Sequence, residues 1–388
     1  MYSPFTRRGT AAAGLLALTL AVAGCSADSA DDEAESAPSA DATSAAAQAD
    51  SGASEGTQPS LEFAGPNGEV PGTLDELTLT DDEAATIADG GHTAAFVWHT
   101  SSEFVSAVEQ GAVASFEELG IDVVASTEAG FDAATQANNV ESVMALDPDI
   151  VVGIAVDPTS AAQSFQPIVD AGKTLVIMTT PPAGYEAGDQ FVSIVTESLT
   201  DAGRANAELL GDALGGTGQV AYLYHDADFW FTNQRDEAFK AWLEYEYPDM
   251  DIVAEQGFTD EARTEEIAAA TLLQNPDVTG IYVPWATAAQ GVLAAVKAAG
   301  RTDVAIVTND LDTTLAADMA AEGNVVGLVG NGSLDIGHGL AVAGAYGLLG
   351  KEAPALVASP PVKVTPDNLV DGWMADYGTE PPASVTGN

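Results

Sequence analysis

The only cysteine of the chain, Cys25, closes the run Val22-Ala23-Gly24-Cys25, and its thiol is the side chain best placed for covalent chemistry. Arg7 and Arg8 precede it as a basic segment, followed by Ala11 to Ala23 without a charge. That apolar run of about 13 residues has the length of a signal-peptide core and is too short to span a bilayer. Small residues before a single Cys read as a lipobox. Cys25 is then the lipidation site (palmitate or a similar acyl chain), residues 1–24 are the signal peptide, and the protein is held on the extracytoplasmic face of the cell membrane. The arginine pair also permits twin-arginine export, although the residues after it fit that signal poorly. Other covalent chemistry finds no support. The chain has no His-Glu-x-x-His pair or Walker phosphate loop, and its four histidines lack metal-ligand spacing. No enzyme, metal or cofactor is expected, and His99 reads as a satisfied polar or surface histidine.

The balance of 59 acidic against 11 basic residues excludes nucleic acid and anionic lipid as partners, because both demand positive charge. With one cysteine no internal disulfide can form, so packing must stabilise the fold. From Ser26 to about Ser60 the sequence is almost entirely Ala, Ser, Asp, Glu, Gly and Gln, with nothing large to bury. Residues 25–78 are expected as the lipidated Cys and a flexible acidic linker. Thr80-Asp81-Asp82-Glu83 has the spacing of a capping box and predicts a short helix.

From Thr93 onward, short apolar runs alternate with helical periodicity. Ala94–Trp98, Ile121–Ala125, Ile150–Ala155 and Leu175–Met178 form one series of predicted strands. Val220–Tyr224, Ile252–Ala254, Gly280–Val283, Ala305–Val307 and Val325–Val329 form another. Helical patterns such as Phe104–Glu118 and Arg235–Tyr245 lie between them. Continuous apolar strands alternating with helices imply parallel sheets covered on both faces. An internal echo divides them in two. Asp122-Val123-Val124-Ala125 is followed by Gly130-Phe131-Asp132 and Asp147-Pro148-Asp149, and Asp251-Ile252-Val253-Ala254 by Gly257-Phe258-Thr259-Asp260 and Asn275-Pro276-Asp277. The expected fold is α/β, with two Rossmann-like lobes.

Phe104-Val105-Ser106 leading to Gly111-Ala112, Thr232-Asn233-Gln234-Arg235 leading to Phe239, and Thr308-Asn309-Asp310 occur in that order. With these pieces, over about Thr93 to Thr365, the chain resembles the type I periplasmic-binding-protein family, in its ribose-binding-like branch. The resemblance implies lobes of 91–197 plus 331–361 and of 198–330 plus 362–388. Three crossing segments form a hinge, and the lobes close on a ligand. It also implies a monomer that delivers a small sugar or polyol to an ABC transporter permease. Alternative readings are a sensor module for a membrane receptor, or a binder of a nucleoside or quaternary amine.

Ligands of open parallel sheets sit beyond the carboxyl ends of the strands, here in a crevice between lobes. By resemblance, Ser102 and Phe104 take the positions of a polar contact and an aromatic ring. Arg235 matches a hydrogen-bonding arginine that faces the crevice rather than the core, Asn233 lies beside it, and Asp310 matches an acceptor of ligand hydroxyls. The competing role for Asp310 is a helix N-cap. Thr179 and Thr180 stand where sugar-binding relatives often carry Asp-Arg, and Trp285-Ala286 where they often carry Asn-Asp. Trp98, Trp230 and Trp285 follow strands that exit toward the crevice, so aromatic faces are expected to carry much of the binding.

Overall fold

The computed structural model describes residues 58–59 and 61–387. Cys25, the expected signal peptide and the expected linker through residue 57 lie outside these described residues. Among the described residues, no helix is long and apolar enough to cross a membrane.

Among the described residues, thirteen strands form two sheets. The first contains β1 (Pro71–Thr73), β2 (Thr93–Trp98), β3 (Asp122–Glu128), β4 (Ile150–Gly153), β5 (Thr174–Met178), β6 (Ile194–Glu197) and β12 (Leu356–Ser359). The second contains β7 (Thr217–His225), β8 (Asp249–Phe258), β9 (Val278–Val283), β10 (Ala305–Asn309), β11 (Val325–Gly330) and β13 (Val362–Val364). Their orders are β1-β12-β6-β5-β4-β2-β3 and β13-β11-β10-β9-β7-β8. Every pairing is parallel except that of β11 with β13. Without β1, the two sheets share one strand order and differ only in the direction of the strand beside β6 or β11, and the echoed segments are their edge strands β3 and β8.

Central strands such as β4 are buried along their whole length, because helices cover both faces. In the first lobe the helices Glu103–Glu118 and Ser333–Leu349 cross at Gly111 and Gly337. A Cβ on either would collide with the backbone of the other helix, which fixes glycine at this contact. Three segments cross between the lobes, after β6, β11 and β12, and Ser198 N donates to the Ser359 carbonyl at 2.8 Å to bind two of them together.

The expected flexible linker ends earlier than residue 78. Leu77 is buried, β1 pairs with β12, and Asn67 Nδ2 donates to the Tyr185 carbonyl at 3.1 Å on the first lobe. Phe63 stacks on Trp230 of the second lobe, with ring centroids 6.2 Å apart, and the neighbouring Ala64 carbonyl accepts from Gln234 Nε2 at 2.9 Å. Residues 63–78 are thus a strap touching both lobes. Phe63, Leu74 and Leu77 give it the apolar surface that the preceding sequence lacks. The capping box forms as its spacing predicts, with Thr80 accepting from Glu83 N and Glu83 accepting from Thr80 N ahead of the helix Asp81–Ala88.

Candidate functional site

Both sheets turn the carboxyl ends of their strands toward one cavity of about 250 Å³. From the first lobe, His99, Ser102, Glu103 and Phe104 follow β2, and Phe131 follows β3. From the second, His225 ends β7, and Phe229, Phe231, Thr232 and Arg235 come from the turn and helix after it. Glu261 follows β8, Trp285 and Gln290 follow β9, and Asp310 and Asp312 follow β10.

Arg235 sits on the helix Trp230–Glu246, which packs against the helix Leu199–Leu214 at Gly203. A Cβ there would strike the Arg235 carbonyl, so glycine lets the arginine approach the cleft floor. Its Nη1 donates to Glu197 Oε1 at 2.7 Å and its Nη2 to the Pro284 carbonyl at 2.8 Å. The guanidinium lies 4.4 Å over the Phe231 ring, and Nε has no protein partner. Both Arg235 and Glu197 have side chains only 1% exposed. Arg235 therefore belongs to the core as well as to the crevice, which corrects the expectation that it faces the crevice alone. Burial pushes the Glu197 carboxyl up to about 7, although the arginine beside it opposes the shift.

Asp310 adopts a left-handed backbone (φ +68°), as does Thr179 (φ +58°). They stand at matching places in the two lobes, directly after β10 and β5. Strained residues of this kind are held only where the surroundings over-determine them. Asp310 Oδ1 accepts from Asn331 Nδ2 at 2.7 Å, and burial raises its carboxyl above the ordinary range. The helix N-cap is Asp312, whose carboxylate accepts from Thr314 N and Leu315 N, so Asp310 is free of that duty.

Trp285 is half-buried, with ring centroids 5.0 Å from Phe258 and 5.1 Å from His225, and its Nε1 donates to Glu261 Oε2 at 2.6 Å. Glu103 reaches across the cleft and accepts from Thr313 N and Oγ1 at 3.1 and 3.0 Å. Burial raises the carboxyls of Glu103 and Glu261. It also pushes the imidazoles of His99 and His225 down to about 4, with the Arg235 charge adding to the shift at His225.

Of the expected site residues, Ser102, Phe104, Arg235, Trp285 and Asp310 line the cavity. Five do not. Trp98 is core: it stacks on Phe96 at 5.1 Å and its Nε1 donates to Glu109 at 2.6 Å. Strand alternation explains the difference, because the next residue, His99, is the one turned to the cleft. Trp230 turns toward the strap, and Asn233 faces an outer groove beside Tyr224 and Lys240. Helical spacing sets both directions, since Thr232 and Arg235 share a face that Trp230 and Asn233 do not. Thr179 and Thr180 are fully buried behind the cavity, with hydroxyls that have no protein partner.

His99 is no surface residue. It lines the cavity edge-on to Phe131 at 5.0 Å, with Nδ1 buried and without a protein partner. Sequence reasoning also missed Phe131, His225, Phe229, Phe231, Thr232, Glu261, Gln290 and Asp312 as lining residues. Most lie within a few residues of a strand's carboxyl end, the signal that could have found them.

Residues 94–352 match the family model described as the periplasmic binding protein domain. A xylitol-binding protein of Mycolicibacterium smegmatis is 27% identical over 253 residues, covering 63% of this chain and 69% of the relative. A D-apiose import binding protein of Actinobacillus succinogenes is 30% identical over 136 residues, covering 34% of this chain and 43% of the relative. Among solved structures, an ABC transporter solute-binding protein from Agrobacterium vitis bound with α-D-tagatopyranose superposes with a TM-score of 0.66. It has 20% identity and covers 74% of this chain and 98% of that one. An arabinose-binding protein from Geobacillus stearothermophilus reaches 0.63 at 21% identity, covering 72% and 98%.

Proposed function

Because this chain belongs to the periplasmic binding protein family, we propose that it is a non-catalytic, extracytoplasmic solute-binding protein that supplies a small sugar or polyol to an ABC importer. One observation carries the ligand class. The cavity sets aromatic faces, chiefly Trp285 and Phe104, beside the hydrogen-bonding groups of Arg235 and Asp310. Ring faces suit the C–H surface of a sugar or polyol, while a donor and an acceptor suit its hydroxyls. The relatives whose names specify xylitol and D-apiose support the same class.

A thermal-shift screen of pentoses, hexoses and polyols, starting with xylitol and D-apiose, tests the reading. A ligand at 100 times its Kd stabilises the bound form by about 2.7 kcal/mol, enough for a clear rise in melting temperature. Calorimetry on the hits then gives affinity. Flat melting curves across the whole panel would refute the sugar or polyol class.

The lipid tether belongs to the same proposal. Acylation of Cys25 keeps the binding protein near its permease after export. Cys25→Ala is expected to leave the folded lobes unchanged and to move the protein from the membrane fraction to the soluble one. Retention of the variant in washed membranes would refute the anchor.

A further inference from the structure

We propose that the cleft selects its solute by charge: it accepts neutral polyols and their amine-bearing derivatives and rejects the corresponding sugar acids and phosphates. This inference rests on the sugar or polyol reading above and narrows it.

Four carboxylates line the cavity, Glu103, Glu261, Asp310 and Asp312. The hydrogen bonds they accept come from neutral groups. Glu103 takes Thr313 N and Oγ1, Glu261 takes Trp285 Nε1, Asp310 takes Asn331 Nδ2, and Asp312 takes Gln290 Nε2 and the helix N-terminal amides. Among the described residues, Arg235 is the only lysine or arginine that lines the cavity.

Arg235 is a poor receptor for an anion because its charge is partly offset inside the protein. Glu197 sits 2.7 Å from Nη1, and both side chains are buried, so the acid offsets part of the guanidinium charge as seen from the cleft. A two-pronged grip on a ligand carboxylate or phosphate uses two guanidinium nitrogens. Each terminal nitrogen already gives one of its two N–H groups to the protein, to Glu197 and to the Pro284 carbonyl, which turns the fork away from a ligand, and Nε has no protein partner. The remaining N–H groups suit single hydroxyl oxygens. His99 and His225, held neutral by their burial, add no positive charge at neutral pH.

The local balance is therefore acidic, in a chain whose formal net charge is −48. An anionic ligand meets repulsion as it approaches and again as it loses its water. An ammonium group meets the opposite field. It also meets five Phe and Trp rings, from Phe104, Phe131, Phe229, Phe231 and Trp285, whose faces attract cations. Hydroxyl hydrogens gain from the same acceptors, so the neutral parent remains a ligand.

Two matched series test the proposal by calorimetry at neutral pH and about 0.15 M salt. One is xylitol, D-xylonate and 1-amino-1-deoxy-D-xylitol. The other is D-sorbitol, D-gluconate and D-glucamine. In the series that binds, the acid is expected to be weaker than the neutral parent by on the order of 100-fold, and the amine to bind at least as well as the parent. In the double variant Glu261→Gln, Asp312→Asn the gap between acid and parent should narrow by about tenfold. A melting curve of the ligand-free variant shows separately that it is folded. An acid that binds as tightly as its parent overturns charge selection and leaves the sugar or polyol reading standing. An amine bound far more weakly than the parent overturns it as well. Where another sugar or polyol of the thermal-shift panel binds instead, its own acid and amine form the matched series, and silence from that whole panel overturns the sugar or polyol reading and this inference with it.

Discussion

Replacing Arg235 with alanine is expected to abolish ligand binding and to lower the melting temperature of the ligand-free protein. Loss of a hydrogen-bonding partner at the cleft floor costs on the order of 2–4 kcal/mol of binding, or roughly 30- to 1,000-fold in Kd. The second effect follows from the ion pair. Glu197 and Arg235 are each 1% exposed and 2.7 Å apart, so removing the arginine strands a buried carboxylate. Breaking such a pair from one side costs about 3–5 kcal/mol, which lowers the melting temperature of a lobe by roughly 6–20 °C. The double variant Arg235→Ala, Glu197→Ala separates the two roles, because it removes the stranded charge and should regain part of the stability without regaining binding. Melting curves and calorimetry on the two variants and the wild type check this. A single variant as stable as the wild type would show that Glu197 takes up a proton without penalty.

Trp285→Ala is expected to weaken binding by about 10- to 100-fold, the loss of an aromatic wall from a closed cleft. It should also free Glu261, whose carboxylate the indole Nε1 now holds at 2.6 Å. Trp285 lines the cavity, whereas Trp98 and Trp230 are packed away from it. Ligand-dependent quenching of tryptophan fluorescence should therefore vanish with this one substitution. An unchanged Kd would make Trp285 a buttress for His225 and Phe258 rather than a wall for the solute.

The lobes were legible because their strands are continuous apolar runs, and the Asp122 and Asp251 segments mark equivalent edge strands of two like sheets. The four-residue β6, which ends in Thr196-Glu197, and the three-residue β1 and β13 were not. Strands so short carry too few side chains to show a period. The floor of the cleft was harder still. Nothing local marks Glu197 as the partner of Arg235, since the contact joins residues 38 apart through the packing of two lobes. Loops after strands could be read as cleft-facing, but which of two neighbouring side chains turns inward could not. Trp98 against His99 and Asn233 against Thr232 were decided by strand alternation and helical phase, which a shift of one residue reverses.

The strap has a thermodynamic consequence for residues that never meet the solute. Asn67 and β1 are fastened to the first lobe while Phe63 and Ala64 touch the second, so the contacts of Phe63 and Ala64 form with the lobes together. They bias the molecule toward that arrangement whatever occupies the cleft. Apparent affinity equals intrinsic affinity scaled by the fraction of molecules already competent to bind. Each 1.4 kcal/mol supplied by the strap multiplies the ratio of competent to incompetent molecules about tenfold. Where the competent fraction is small, affinity rises almost in step; where it is already large, the same contacts change little. Sequence change between residues 63 and 70 can thus retune capture and release without altering a single group that faces the ligand.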